Sequence, residues 1–398
     1  MKKFDKVLKI VLMIPSSRSF ERALLHGIAR YARYHGPWVL YMDLPDYVAK
    51  QSTGKQLDWL DDAGIDGIIA RVPSPYNAED LIRTKKPFML INVQSDFKNL
   101  PSIAPDCKGL SKIAVEYFVG KGFKSLAFFG FDDVEWCHER SKYFEQIAAE
   151  YGIETQSFFE TSGHGKDSGQ FSKTWKAEEN KMIEWLRQLP KPVGILTTND
   201  DMGRHVIQTC NIAGLAVPEE AAVLGNGNDQ LVCELCEPPL SSVDFNAENC
   251  GYQAAEILHQ MIIGEEVSKL RVVVRSTNVV TRQSTDVTAI DDPNMAKAMN
   301  FISQNFKQNI KVTDVAHACG LSTRVLQNRF QKYLDRSPYE EITRVRIESA
   351  TTMLTQSNLP ISRVAYAIGY EEIKYFTRLF TKAQGMTPTA YRKTYGQI

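Results

Sequence analysis

Short apolar runs alternate with amphipathic segments along most of the chain. Ile10–Ile14, Trp38–Met42, Gly67–Ala70, Phe88–Asn92, Leu126–Phe129, Gly194–Thr197 and Ala222–Leu224 have the length of strands. Glu21–Tyr34, Leu110–Lys121, Arg140–Glu150, Ala177–Gln188 and Met202–Ala213 carry apolar residues at helical spacing between them. Strand runs apolar throughout, alternating with helices, predict a parallel sheet covered on both faces. Roughly 270 residues of this pattern exceed one small doubly wound sheet, so two α/β lobes are predicted. Thr281 to Pro293 is polar and ends in Asp291-Asp292-Pro293, a linker composition. Beyond it the pattern is helical only: Met295–Asn305, Val312–Cys319, Thr323–Tyr333, Tyr339–Thr355, Ser362–Ile368, Ile373–Ala383 and Pro388–Tyr395. The predicted organisation is a two-lobed α/β body over residues 1–285, a linker over 286–293 and an all-α domain over 294–398.

The tail contains a near-repeat. Val312-Thr313-Asp314-Val315-Ala316-His317-Ala318-Cys319-Gly320-Leu321-Ser322 aligns with Ile361-Ser362-Arg363-Val364-Ala365-Tyr366-Ala367-Ile368-Gly369-Tyr370-Glu371, and the two glycines are 369 − 320 = 49 residues apart. Each glycine stands where one helix must end and the chain turn sharply, a left-handed position that glycine takes at low cost. Ser322 is placed to cap the next helix. The unit is helix-turn-helix, present twice. In the second helix of unit one, Val325, Leu326 and Phe330 are predicted core, with Arg324, Gln327, Asn328 and Gln331 outward. In unit two, Phe376, Leu379 and Phe380 are predicted core, with Lys374, Thr377, Arg378 and Lys382 outward. Arg, Lys, Gln and Asn on such a helix suit paired hydrogen bonds to base edges in the major groove. Any one of these residues alone is explained by a solvated helix face.

Charge sharpens that reading. The chain is neutral, with 47 basic and 47 acidic residues, but from Asn294 onward there are 15 Lys/Arg against 7 Asp/Glu, a balance of +8. The preceding residues hold 47 − 15 = 32 basic and 47 − 7 = 40 acidic groups, a balance of −8. A basic module on an acidic body predicts that the tail alone meets a polyanion. No apolar run reaches membrane-spanning length. Lys2 and Lys3 precede an apolar stretch, but Lys9 interrupts it and no small-residue cleavage site follows, so Leu8 to Ile14 reads as a buried strand rather than a leader. The seven scattered cysteines suit a reducing cytoplasm. Cys233 and Cys236 form a lone C-x-x-C without further ligands at suitable spacing, hence buried thiols and no metal. No cofactor motif is present.

The tail resembles the DNA-binding domain of the AraC family of bacterial regulators. The resemblance rests on Gly369-Tyr370-Glu371-Glu372-Ile373-Lys374-Tyr375-Phe376-Thr377-Arg378-Leu379-Phe380-Thr381-Lys382, then Gly385-Met386-Thr387-Pro388 and Tyr391-Arg392. It implies base contacts from Arg324, Gln327 and Asn328 in unit one and from Ile373, Lys374, Thr377 and Arg378 in unit two. Glu371-Glu372 departs from the family, which more often has a small polar residue at the second position. Two carboxylates suit a helix N-terminus but repel phosphate.

In the body, polar and aromatic residues recur after predicted strands: Ser16, Arg18 and Phe20, then Asp43, Asp106, Trp136 with Arg140, and Asn199 with Asp200. Strand carboxyl ends are where α/β lobes bind ligands, although Asp and Asn there are also ordinary caps and turn formers. Ile103-Ala104-Pro105-Asp106, Arg140 with Phe144, Thr198-Asn199-Asp200-Asp201-Met202-Gly203, Val223-Leu224-Gly225, Pro238-Pro239-Leu240-Ser241-Ser242-Val243 and Gly251-Tyr252-Gln253-Ala254-Ala255 stand in the order of the type I periplasmic-binding-protein fold of LacI-type repressors, which the body resembles. That implies ligand contacts from Asp106, Arg140 and Asn199, and a carboxylate just after Val223-Leu224-Gly225. Gly227 occupies that place here, so a sugar-hydroxyl acceptor is lost unless Asn228 or Asp229 substitutes.

The union of the two domains, with Trp136 and Arg140 spaced as W-x-x-x-R, resembles the xylose-operon activators. It implies a pentose effector such as D-xylose, a double-stranded DNA operator, a homodimer and, for an activator, contact with RNA polymerase. The expected mechanism is a population shift: sugar favours a closed arrangement of the lobes, and closure repositions paired DNA modules. Alternatives are a non-sugar effector or a ligand-blind dimerisation body. An enzyme is disfavoured because no Ser-His-Asp order, phosphate loop or metal set is found. A transport component would need export.

Overall fold

The computed structural model describes residues 7–42, 60, 63–71, 78–91, 99–161, 173–267, 270–287, 289–290 and 292–396. Lys2, Lys3, Asp43, Asn92 and Asp291, singled out above, lie outside them. The chain divides into two units, Met1–Cys107 with Phe245–Arg275, and Lys108–Asp244 with Ser276–Ile398.

The first unit is built on β1 (Leu8–Met13), β2 (Trp38–Met42), β3 (Gly67–Arg71), β4 (Phe88–Ile91), β5 (Ser102–Pro105) and β11 (Arg271–Val274). Their order is β11-β5-β4-β3-β1-β2 and every pairing is parallel. Alternate residues point to opposite faces of a strand, and both faces of β1, β3 and β4 are covered, while the edge strand β2 keeps Val39, Tyr41 and Met42 exposed. Ile10, Leu12, Ile69, Met89 and Ile91 pack with α1 (Ser19–His35) and α8 (Ala247–Ile262). Val11, Met13, Ile68, Ala70 and Leu90 pack with Leu60, Ile65, Ala78 and Leu81. This is why the runs of β1, β3 and β4 are apolar at every position. Helices α1 and α8 meet at two glycines. A Cβ on Gly27 would lie 1.9 Å from the Glu248 carbonyl oxygen, and one on Gly251 would lie 2.1 Å from that of Leu24.

The second unit carries β6 (Ser125–Phe131), β7 (Thr155–Glu160), β8 (Val193–Thr197), β9 (Ala221–Asn226), β10 (Ser241–Phe245) and β12 (Ser276–Val280), in the order β12-β10-β9-β8-β6-β7. Phe129, Ile195 and Val223 face α5 (Lys173–Gln188) and α6 (Asp200–Ala213). Phe118 of α3 (Cys107–Gly120), Phe128 and Phe144 of α4 (Glu135–Glu150) are wholly buried as well. All predicted α/β elements are present within a few residues. Strands β5, β7, β10, β11 and β12, together with α2 (Ala78–Arg83) and α7 (Gln230–Glu234), were not marked by the hydrophobic pattern. Cys233 and Cys236 are buried free thiols, and burial raises both, Cys236 to about 11.

The same unit continues into seven helices: α9 (Pro293–Asn305), α10 (Val312–Ala318), α11 (Thr323–Leu334), α12 (Pro338–Gln356), α13 (Ile361–Ala367), α14 (Ile373–Gln384) and α15 (Pro388–Tyr395). Two small cores form. One gathers Met295, Ile302, Val315, Leu326 and Phe330, the other Val364, Ile368, Phe376, Phe380 and Tyr391. Helix α12 supplies Ile342 to the first and Ile347, Ala350 and Leu354 to the second, so it is the shared spine. Ser337 and Glu340 close a capping box at its start, with Pro338 in the first turn. One core assignment fails: Val325 is 41% exposed. Leu326, Phe330 and Leu334 recur at the four-residue spacing that keeps one face inward, and Val325 stands about 100° away from Leu326 on the helix.

Gly251→Ala places a methyl against the backbone of α1. It is expected to lower stability by about 1–3 kcal/mol, read as a lower urea midpoint in the fluorescence of Trp38, which packs against this core. An unchanged midpoint would show that the helices part without cost.

Candidate effector site and nucleic-acid interface

At the strand carboxyl ends of the second unit, α4 presents Trp136 and Arg140 one helical turn apart. Arg140 is 3% exposed; its guanidinium carbon lies 4.9 Å from the centre of the Trp136 ring. Its Nη1 donates to the carbonyl oxygen of Thr198, just after β8, at 2.6 Å. Asn226, which ends β9, donates to that same oxygen through Nδ2 at 3.1 Å. The Asn226 Oδ1 is buried and accepts no hydrogen bond from any described residue. Two elements therefore converge on the carbonyl of a third, bringing together an aromatic ring, a guanidinium and an unsatisfied acceptor.

Asn199 begins α6 by accepting the Met202 N–H through Oδ1 at 2.9 Å, the helix-cap role its position suggested. Asp200 is buried. It accepts from Ser242 Oγ at 2.5 Å and from the Asp229 N–H at 2.7 Å. Burial pushes its carboxyl up to about 6, against the pull of those hydrogen bonds. Asn228 takes a left-handed φ of 48°, donates its N–H to Ser242 Oγ at 3.0 Å and accepts from Arg282 Nη2 at 2.9 Å. Gly227 has a φ of 124°, a conformation that strains any side chain. A carboxylate-bearing residue at 227 would strain this backbone. Asp200 braces this loop from beneath.

In the first unit, Phe20 is half-buried edge-to-face on Phe245, with ring centres 5.9 Å apart. Asp106 is half-buried immediately after β5, and its N–H donates to the Val274 carbonyl at 3.0 Å. The fully buried Glu21 in the first turn of α1 is ion-paired with Arg71 at the end of β3. Sequence reasoning passed over Glu21, Arg71, Ser242 and Asn226. Two carried a signal: Asn226 directly follows Val223-Leu224-Gly225, and Ser242 stands in Pro238-Pro239-Leu240-Ser241-Ser242-Val243.

The two helix-turn-helix units expose the side chains expected of reading helices. On α11, Arg324, Gln327 and Asn328 are exposed, while Leu326 and Phe330 are fully buried. Ser322 accepts the Val325 N–H and so caps this helix. On α14, Ile373, Lys374 and Arg378 are exposed and Thr377 is half-buried on the same face, opposite Phe376 and Phe380. Arg378 rests over the ring of Tyr375 at 5.2 Å. Gly320 and Gly369 take φ of 66° and 85°, the left-handed turns anticipated between the helices. Glu371 accepts from Asn309 Nδ2 at 3.0 Å, which turns one of the two acidic groups toward the protein. Helix α12, with 19 residues, is about 28 Å long, close to the roughly 34 Å of one DNA turn.

Comparison with known proteins agrees with both halves. Residues 115–285 match a periplasmic binding protein-like domain and residues 315–394 a helix-turn-helix domain. The chain is a DNA-binding regulator of transcription with a periplasmic-binding-protein-like sensing domain, not an enzyme. It is similar over nearly its whole length to the xylose operon regulatory protein of Haemophilus influenzae strain Rd, with 29% identity over 396 residues covering 98% of this chain and 99% of the relative. The xylose operon regulatory protein of Escherichia coli K12 is 28% identical over 403 residues, covering 99% of each. A solved structure described as the xylose-binding transcription activator xylR is 26% identical, covers 99% of this chain and 100% of its own, and superposes with a TM-score of 0.60. No helix among the described residues is long and apolar enough to cross a membrane.

A carboxyl whose pKa is higher folded, about 6, than unfolded, 3.8, binds its proton more tightly in the fold. The stability it brings is complete below about pH 4 and is lost as pH rises through 6. Asp200→Asn is therefore expected to flatten the dependence of Tm on pH between 4 and 7. An identical slope in parent and variant would mean that Asp200 titrates normally.

Proposed function

We propose that this chain is an activator of a pentose-catabolism operon, controlled by D-xylose. The carrying observation is the convergence of Arg140 and Asn226 on the Thr198 carbonyl, with the Trp136 ring against the Arg140 guanidinium. A sugar ring needs an apolar wall for its C–H face and planar donors and acceptors for its hydroxyls. Trp136 offers the wall and Arg140 the donors. The Asn226 Oδ1 offers the acceptor that Gly227 lacks. Asn199, Asp200 and Asn228 shape the loop around it, and Phe20, Asp43 and Asp106 are further contacts that the sequence proposes. The whole-length similarity to xylose operon regulators supports the same effector.

The DNA contacts proposed are Arg324, Gln327 and Asn328 from α11 and Ile373, Lys374, Thr377 and Arg378 from α14. The functional form proposed is a cytoplasmic homodimer on paired half-sites, because two linked modules multiply affinity. An activator also contacts RNA polymerase. The proposed domain limits are 1–285, 286–293 and 294–398.

D-xylose at a hundredfold excess over its Kd stabilises by about 2.7 kcal/mol, so Tm is expected to rise in a screen of pentoses, hexoses and their phosphates. Asn226→Ala and Arg140→Ala should each abolish the rise. A rise with a different compound only would replace D-xylose with that effector. No rise with any sugar would favour a non-sugar effector or a ligand-blind body, a reading to which the missing carboxylate at 227 lends weight.

Arg324→Ala and Arg378→Ala are each expected to weaken specific DNA binding by roughly 1–3 kcal/mol and to relax base preference at the contacted position. Binding that weakens equally on all sequences would make these residues phosphate contacts instead.

A further inference from the structure

The seven-helix domain is joined to the second α/β lobe through charge. Glu341, in the first turns of α12, has no exposed surface. Arg344 grips it with two contacts, Nη2 to Oε1 at 2.8 Å and Nε to Oε2 at 3.1 Å, and reaches Glu348 through Nη1 at 3.0 Å. Arg336 approaches from the other side, its Nε 2.6 Å from Glu341 Oε2 as an ion pair. Arg336 also donates from Nη2 to the carbonyl of Gly120 at 2.6 Å, at the C-terminal end of α3 in the lobe, where a helix carries partial negative charge. Burial alone would raise the Glu341 carboxyl, but Arg344 and Arg336 outweigh it and hold it below its usual range.

Further contacts join the same two bodies. Asn278 of β12 donates to Thr352 of α12 at 3.1 Å, and Tyr391 of α15 donates to the Thr277 carbonyl at 3.3 Å. The Ala289 N–H donates to the Lys121 carbonyl at 2.9 Å. Ile290 lies in the core with Phe330 and Leu326, yet sits so near Gly122 that a Cβ there would come within 2.6 Å of it. Asp292 caps α9 and is ion-paired with Arg329 of the reading helix α11. The connecting segment is therefore bonded at both ends. A cavity of about 400 Å³ opens beside the network, lined by polar groups including Lys121, Asp286, Asn300, Ser303 and Thr352, so the joint is not a closed apolar core.

Two buried or half-buried arginines around one buried carboxylate cost desolvation, and such groups give orientation more readily than stability. We propose that Glu341 is the positioning residue of this regulator. By holding Arg336 on the Gly120 carbonyl, it fixes the DNA-binding domain to the second sensor lobe, and both reading helices follow any movement of that lobe as one body. The transmission part rests on the effector reading above; the fixed joint does not.

The test uses the full-length protein with nitroxide labels at Glu150→Cys and Lys393→Cys, both exposed positions on the two bodies. Electron-electron resonance should give one narrow distance distribution without any ligand. Glu341→Gln should broaden it roughly twofold or more. Arg336→Ala, which leaves the Glu341–Arg344 pair and hence α12 intact, should do the same if Glu341→Gln fails to fold, and Arg336→Lys should restore part of the narrow distribution. A width unchanged in Arg336→Ala overturns the joint. In parallel, the ratio of DNA affinities with and without D-xylose, roughly 5- to 150-fold for coupling of ordinary size, should fall toward one in the variants while D-xylose binding stays within roughly twofold. A retained ratio overturns transmission through the joint. If the parent itself does not respond to D-xylose, the effector reading fails, and the distance distributions alone decide for or against the joint.

Discussion

A carboxylate with no exposed surface stays ionised only where cations replace the water it has lost. Glu341 meets that condition through Arg336 and Arg344, and much of the molecule is arranged around the result. Helix α12, which carries it, is the spine shared by the two helix-turn-helix cores. The same arginine that neutralises it ends on the carbonyl of α3, whose Phe118 fills the core of the second sheet. Sheet, joint and reading helices form a continuous chain of packed or bonded groups, so the orientation of α11 and α14 is defined relative to the lobe rather than left to a tether.

The lobe's own strand ends follow a related logic. Polar groups there are held by one another beneath the surface. Ser242 and the Asp229 N–H fasten Asp200, and Asp200 in turn supports a loop whose left-handed residues, Gly227 and Asn228, give it a fixed course. Arg140 and Asn226 share one carbonyl, so neither has much freedom. Rigid, preorganised donors and acceptors lose little entropy when a ligand arrives. The cost of that rigidity is a carboxyl at Asp200 whose charge is opposed by its own burial.

Much of this was legible in the residues. Strands apolar at every position, such as Ile10–Met13, could only be buried on both faces, and they are. The paired glycines at 320 and 369 marked the turns because few other residues adopt those dihedrals. What escaped has physical reasons. Strand β10 reads Ser-Ser-Val-Asp-Phe and is buried through hydrogen bonds between its serines and Thr285, Arg282 and Asp200, which no hydropathy pattern reveals. Strand β7 is a half-exposed edge rich in polar residues, and β5 is four residues ending in proline. Val325 looked like core because it is apolar, yet helical spacing had already assigned the inner face to Leu326, Phe330 and Leu334. Asn226 was overshadowed by the glycine that follows it. The Glu341 network was invisible because its members look like ordinary charged positions on a helix until Gly120 is brought beside them by the fold.

We propose that one chain couples an effector held at the strand ends to DNA read by α11 and α14. Coupling of two binding events is reciprocal, so it can be measured from the sugar side. D-xylose would be titrated calorimetrically into the full-length protein, alone and saturated with a DNA duplex that it has itself selected from a random pool. The two affinities are expected to differ by roughly fivefold or more. Equal affinities in the two titrations would contradict the coupling.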